Sequence, residues 1–305
     1  MSKDFLEAKN LQWHFVEEVT NADLDYLQGH FKFHHLDYEN IRNDSNISKI
    51  DSYKHYLFFV FHIPTLQKEA DIVYGKELYM FLSKDELVTV SREPIPSVRD
   101  FFTRMKQNPK LRDSILDKGT AFLMYRILHD VFREATSVVA YLSKSVARLE
   151  VDIEKQHSKL ITVDLGRTRR NILFHRHILD PQRHMLSSLH SLKKPFVPEF
   201  VLVYFDHLHD MLDTLWLTSD NLKLIADGLF DMNEALISHR TNEIIKLLTI
   251  ISASLMVPTL ISGFYGMNVP WLPHAHNARF VLMLFVVGFV GMMLIVHLIV
   301  RRHKS

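Results

Sequence analysis

This chain reads as an α+β protein built on a membrane anchor: a cytosolic α/β domain, a long helical bundle and stalk helix, and a C-terminal two-helix transmembrane hairpin. Three observations carry that reading. From Leu247 to Ala278 no residue is formally charged, and roughly 20 such residues cross a bilayer as a helix. A second apolar run, Phe280 to Val300, follows almost at once. Upstream, short apolar and alternating runs fill the first 95 or so residues, and helical periodicity takes over after Gly119.

The spacing divides the 305 residues as follows. Residues 1–118 form the α/β domain, 119–198 a long helical hairpin and 199–243 the stalk. The first span is 244–265, an external loop is 266–278, the second span is 279–300, and 301–305 is a basic tail. Trp13-His14-Phe15-Val16 is strand-like, and Asn21-Ala22-Asp23-Leu24 opens a helix. Tyr56 to Phe61 is wholly apolar, as a strand buried on both faces would be. Leu78–Leu82 and Leu87–Val90 flank the turn Ser83-Lys84-Asp85-Glu86 and predict a hairpin. A helix is expected over 95–108, ended by Pro109. Residues 120–157 and 160–191 are amphipathic, with Pro181 a kink or break in the second. After the prolines of 193–198, one helix runs from about Glu199 into the membrane.

The stalk is the most periodic stretch. Leu208, Leu215, Leu222, Leu229 and Leu236 recur every seven residues, one row of a helix–helix seam. Asp206, Asp213, Asp220, Asp227 and Glu234 form a second row at the same spacing, roughly 140° around the wheel. The row reads either as a solvated face or as an acidic surface that gathers cations.

Composition excludes several classes. Lysine plus arginine is 36 against 35 acids, so no excess of basic charge points to nucleic acid. Cysteine is absent, which removes thiol catalysis, disulfides and thiolate metal sites. Residues 1–10 have no apolar core, so no secretory signal is expected. There is no phosphate-cradling glycine loop, His-Glu-x-x-His or nucleophile elbow, and an enzyme is not expected. Arg301, Arg302 and Lys304 follow the second span, whereas the link carries only Arg279. The positive-inside bias then predicts a cell-membrane protein with both termini in the cytoplasm.

One chain with two spans cannot enclose a polar path, but a ring of copies can. At about 100° per residue, Asn242, Ile245, Leu248, Ser252, Met256, Thr259 and Gly263 share an arc of roughly 120°, with Asp231 further down the same arc. Asn242, Ser252 and Thr259 offer neutral oxygens. Ile245, Leu248 and Met256 offer apolar rings that close a pore by dewetting. The competing reading for each is helix packing, and for the small hydroxyls a bond to their own helix.

The end of the first span, Tyr265-Gly266-Met267-Asn268, together with Thr241-Asn242-Glu243, Leu248-Thr249-Ile250, Met256, Thr259 and Gly263, resembles the CorA family of divalent-cation channels. The resemblance is strong from about Tyr204 and architectural before it. It implies a homopentameric funnel in the lipid bilayer that admits Mg²⁺, with Co²⁺ or Ni²⁺ as further ions. It also implies a selectivity filter at Gly266, Met267 and Asn268. Asp231, on the same arc, reads either as a vestibule acid that attracts a cation or as a plain stalk carboxylate. Gating by cytosolic Mg²⁺ is expected, because a channel driven inward by the membrane potential needs a closing signal. Mg²⁺ sheds its water reluctantly, so neutral amide and carbonyl oxygens at such a mouth would hold the hydrated ion. Asp206, Asp210 and Asp213, spaced i, i+4 and i+7, with Asp85 or Glu86 from a neighbouring copy, are the candidate regulatory metal ligands. His207 stands where the family has a regulatory aspartate, which puts that site in question.

One departure matters for the ion. Better-known members carry an acid in the external link, in a Met-Pro-Glu-Leu type sequence; here Val269 to Asn277 has none. His274 and His276 would suit Zn²⁺, Ni²⁺ or Co²⁺. The alternatives are therefore a CorA-fold transporter of Zn²⁺ or another transition metal, with proton coupling, and a membrane-anchored scaffold or sensor.

Overall fold

The computed structural model describes residues 2–8, 11–43, 47–155, 159–267, 273 and 277–302. In chain order the elements are β1 (Ser2–Ala8), β2 (Leu11–Glu17), α1 (Asn21–His30), α2 (His35–Arg42), β3 (Lys49–Ser52), β4 (Tyr56–Gln67), β5 (Ile72–Ser83) and β6 (Glu86–Ser91). The helices α3 (Pro96–Gln107), α4 (Pro109–Leu116), α5 (Thr120–Lys155), α6 (Lys159–Leu192), α7 (Glu199–Tyr265) and α8 (Ala278–Arg302) follow. The chain divides into two compact units, Met1–Phe230 and Asp231–Ser305.

In the first unit the strands form a six-stranded sheet of order β1-β2-β6-β5-β4-β3. Only β2 and β6 run parallel; the other neighbours are antiparallel. Apolar runs such as Tyr56–Phe61 become central strands because both faces of the sheet are covered. On one face Val16, Phe58, Phe81 and Val88 pack with Leu24 and Leu27 of α1 and Ile41 of α2. On the other, Trp13 lies 5.0 Å from Phe102 of α3 between ring centres, and Phe61 lies 6.1 Å from Phe132 of α5. The Trp13 indole N–H is satisfied by Thr89 Oγ1 at 3.0 Å.

Side chains fix the joints. Thr20 and Asp23 form a reciprocal capping box that starts α1. Buried Glu17 accepts the Ile95 N–H at 3.2 Å and the Arg99 Nε–H at 2.7 Å. Its carboxylate thereby complements the positive start of α3. Asn171 of α6 imitates a strand: its Oδ1 accepts from Val73 N at 3.1 Å, and its Nδ2 donates to Asp71 O at 2.9 Å. The β4–β5 turn is thus clamped to the helical hairpin.

Two prolines behave differently from expectation. Pro109 opens α4 instead of only ending α3, since its missing N–H and fixed φ suit a first helical turn. Pro181 lies inside a continuous α6. Beside it, Gln182 Nε2 donates to Ile178 O at 2.8 Å and to His62 O of β4 at 2.9 Å, which ties this turn to the sheet.

Four of the five acids in the stalk row are engaged within the chain. Asp227, Asp220 and Asp213 pair with Arg169, Arg176 and Arg183 of α6, and Asp206 pairs with His190. Both helices supply these groups every seventh residue, in opposite directions. The leucines of the parallel row are buried beside them: Leu208, Leu215, Leu222 and Leu229 all lie under 8% exposed. Trp216 is flanked by the Arg176 and Arg183 guanidiniums, 4.8 and 4.3 Å from its ring centre.

Candidate functional site

In the second unit the two faces of α7 differ in kind. One is closed by α8. A Cβ added to Gly288 of α8 would meet Val257 Cγ1 at 2.7 Å and Ile261 Cδ1 at 3.3 Å, so the helices approach as closely as glycine allows. Ser254, on that side, is 3% exposed, and its hydroxyl donates to Ile250 O at 2.7 Å.

The opposite face is open. Asn242, Ile245, Leu248, Ser252, Met256, Thr259 and Gly263 are all exposed, as is Asp231. Ser252, Met256, Thr259 and Gly263 line one groove of about 600 Å³ together with Met267. The contrast between faces holds from Ser252 to Gly263; from Ile237 to Thr249 every residue is exposed, so Asn242, Ile245 and Leu248 are free together with the rest of the helix there. Gly263 has nothing within 4 Å of where a Cβ would lie, so its use here is not forced by packing inside one chain.

Thr259 Oγ donates to Leu255 O at 2.7 Å, and Thr249 Oγ to Ile245 O at 2.8 Å. The own-helix bond expected of small hydroxyls is thus made by Thr249, Ser254 and Thr259. It consumes the hydroxyl proton of Thr259 and leaves the oxygen lone pairs for the groove. The bond and an oxygen-lined surface are compatible.

At the mouth, Gly266 N donates to Ser262 O at 2.8 Å. A Cβ on Gly266 would fall 2.8 Å from that same carbonyl, a contact real side chains do not make. The glycine is therefore required by close approach where α7 ends. Tyr265 Oη donates to Pro273 O at 3.3 Å and ties the helix end to the link. Met267 is exposed. Asn268, His274 and His276 lie outside the described residues.

The candidate regulatory acids are split between two places. Asp85 and Glu86 sit at the β5–β6 turn, which Thr120 Oγ holds through Ser83 O at 2.6 Å. Burial, then neighbouring Asp85, pushes the Glu86 carboxyl above its ordinary range. Asp206 and Asp213 are in the ion pairs described, whereas Asp210 is 82% exposed at its side chain with His209 at 3.9 Å. Among the described residues of one chain, no three histidines or acids converge on a metal position. His207 stacks on His129 of α5 with ring centres 5.8 Å apart.

Sequence reasoning missed two partners that shape these surfaces. Arg169, Arg176 and Arg183 repeat every seven residues in α6, a signal that could have been matched to the aspartate row. Gly288 carried no such signal, since its role depends on which face of α7 it meets.

Known proteins resemble the whole chain. The family described as CorA-like Mg²⁺ transporter protein matches residues 8–302. The cobalt/magnesium transport protein CorA of Thermotoga maritima is 23% identical over 96% of this chain and 83% of its own. A putative metal ion transporter of Bacillus subtilis, YfjQ, is 25% identical over 89% of this chain and 83% of its own. The complete structure of the CorA magnesium transporter from Methanocaldococcus jannaschii superposes with a TM-score of 0.79 at 18% identity, covering 99% of this chain and 93% of that one. With a family match across nearly its full length, two apolar helices long enough to span a bilayer and this fold, the chain belongs to the CorA-like family of divalent metal transporters.

Proposed function

We propose that the protein is a Mg²⁺ channel, admitting Co²⁺ or Ni²⁺ as well, in which copies of the open α7 face surround the ion path. The observation that carries this is the contrast between the two faces of the first span. One is closed against α8 at Gly288; the other bears Ser252, Met256, Thr259 and Gly263 on a free groove. Two spans per chain leave such a face exposed to lipid unless copies turn it inward, and a pentamer is the ring we assign. The T. maritima and M. jannaschii relatives are named as cobalt/magnesium transport proteins, which supports the ion class.

In this reading the hydrated ion meets Gly266, Met267 and Asn268 first. The Gly266 carbonyl and the Asn268 amide bond its water shell without stripping it. It then passes the oxygens of Thr259, Ser252 and Asn242. The rings of Met256, Leu248 and Ile245 stop conduction when dry, and Asp231 draws the ion into the cytosolic vestibule. Both termini are cytoplasmic and flux is inward, driven by about 4.6 kcal/mol per ~100 mV for a divalent ion. Closure by cytosolic Mg²⁺ is assigned to Asp206, Asp210 and Asp213 facing Asp85 or Glu86 of an adjacent copy. Among the three stalk acids, Asp210 is the most exposed.

Uptake into proteoliposomes, followed with a Mg²⁺-sensitive dye under an inside-negative potential, tests the assignment. Saturable Mg²⁺ entry that Co²⁺ and Ni²⁺ inhibit is expected. Entry of Zn²⁺ driven by a proton gradient, without Mg²⁺ entry, would replace this reading with the transition-metal one. The acid-free link and its two histidines are the feature that reading rests on.

A further inference from the structure

Away from the membrane unit, α1 covers only part of the sheet face above β1 and β2, and a cleft of about 480 Å³ remains. That lies within the range of small-molecule sites. Its walls are aromatic. Phe5 of β1 stacks on His14 of β2 at 6.0 Å between centres, and Tyr26 of α1 stacks on His30 at 4.7 Å. Phe31 meets the His14 ring edge-on at 5.0 Å. Phe5 is 58% exposed and Tyr26 48%, a large apolar surface left to water by this fold.

The polar groups in the cleft accept hydrogen bonds. Gln12 Nε2 donates to Glu7 Oε1 at 3.3 Å, so its amide oxygen faces His14 Nε2 at 3.1 Å. His14 must therefore donate from Nε2, and its Nδ1 is left as an acceptor. Burial, then the neighbouring His30, holds His14 below the usual imidazole range and keeps it neutral. Glu86 stands opposite Gln12 in the β2–β6 register and lines the same cleft. Asp4 is already neutralised by Lys106 at 3.1 Å. Among the described residues lining the cleft there is no lysine or arginine.

We infer that this cleft binds a small organic cation bearing several amino groups, of the oligoamine class. Ring faces attract an ammonium group through their quadrupoles, while Glu7, Glu86 and His14 Nδ1 accept its N–H donors. The methylene segments of such a molecule lie against Phe5, Tyr26 and Phe31. Among the described residues no cation faces Glu7 or Glu86, and such carboxylates reject phosphates and other anions. A bare metal ion is a poor match, since no three ligating groups converge among the described residues.

The test is calorimetric titration of spermidine into the full-length, detergent-purified chain in a chelator that removes divalent ions, so that no metal competes for Glu86. Saturable binding is expected in the parent. Glu86→Gln and Tyr26→Ala each weaken it by about tenfold or more, while Tyr26→Phe, which keeps the ring, binds as the parent does. Absence of saturable binding overturns the proposal. So does equal binding by parent, Glu86→Gln and Tyr26→Ala, which would place the amine elsewhere in the protein.

Discussion

Arg176 of α6 and Asp220 of α7 stand 3.2 Å apart, one rung of a ladder whose neighbours lie seven residues away on each helix. Because the rungs repeat with the helix seam, α6 and α7 hold one register: sliding either by less than a heptad breaks every pair at once. These charges are about a third exposed, so each pair contributes only roughly 0.5–1 kcal/mol after solvent screening. Arg176→Ala should lower the unfolding temperature slightly more than Asp220→Ala, because it also removes the contact with Trp216. The charge swap Arg176→Asp with Asp220→Arg should recover part of the loss. A double-mutant cycle by thermal unfolding measures this; zero coupling between Arg176 and Asp220 would show that this rung does not stabilise the fold.

Acid sensitivity is expected from His175, which is fully buried between α6 and α7. Ser219 Oγ donates to Leu215 O at 2.8 Å, so it accepts from His175 Nδ1 at 2.8 Å. The Nε2 atom has no partner among the described residues. Protonating it would create a buried imidazolium with one N–H unmatched, and burial accordingly pushes the group down to about 4. The unfolded chain binds this proton more readily. Stability from His175 is thus complete above about pH 6.5, falls as pH drops, and is fully lost near pH 4, about 3 kcal/mol in all. His175→Leu should flatten that part of the pH profile, read as the difference between variant and parent in unfolding midpoint from pH 7 to 4. Parallel profiles would refute the assignment.

Packing of the spans predicts a third outcome. Val257 is β-branched and stiff in a helix, and it lies 2.7 Å from where a Cβ on Gly288 would be. Gly288→Val should separate the helices at a cost of about 1–3 kcal/mol and reduce both assembly and Mg²⁺ uptake. Val257→Ala in the same chain should restore assembly, measured by size-exclusion chromatography in detergent. No rescue would mean that Gly288 matters for another reason.

The elements legible in the sequence were those whose burial pattern is local. Tyr56–Phe61 read as a buried strand, and the leucine heptads read as a seam, because each carries its own period. By contrast β1, with Lys3 and Asp4, lacks an apolar period because it is an edge strand against β2 alone. Helix α2 was missed because its eight residues hold polar groups such as Asp37 inside, where Tyr53 and Tyr56 hydroxyls satisfy the carboxylate at 2.8 and 2.6 Å. The partners of the aspartate row required knowing that α6 runs antiparallel to α7, which no local pattern states.

At the mouth, two substitutions should act differently. Gly266→Ala forces a Cβ against Ser262 O and should distort the end of α7, lowering uptake together with thermal stability. Asn268→Ala removes an amide oxygen and should abolish Mg²⁺ uptake while assembly and unfolding temperature stay near the parent values. Near-normal flux through Asn268→Ala would sink the filter role of that residue.

The apolar members of the stripe make the most direct test of the ion path. Leu248 and Met256 are 62% and 68% exposed in one chain, an unfavourable state unless other copies or lipid cover them. If they face the axis, a ring of such side chains excludes water and blocks a hydrated ion without any plug. A carboxylate in the same position attracts water and cations, so Met256→Asp or Leu248→Asp should raise leak currents in planar bilayers with cytosolic Mg²⁺ present. Ile251→Asp is the control: Ile251 is 48% exposed and lies roughly 100° from Ser252 on the helical wheel, outside the arc. Charge there should impair assembly more than it increases leak. If Met256→Asp assembles yet conducts no more than the parent, the residue packs against its neighbours and the gate must be sought elsewhere along α7.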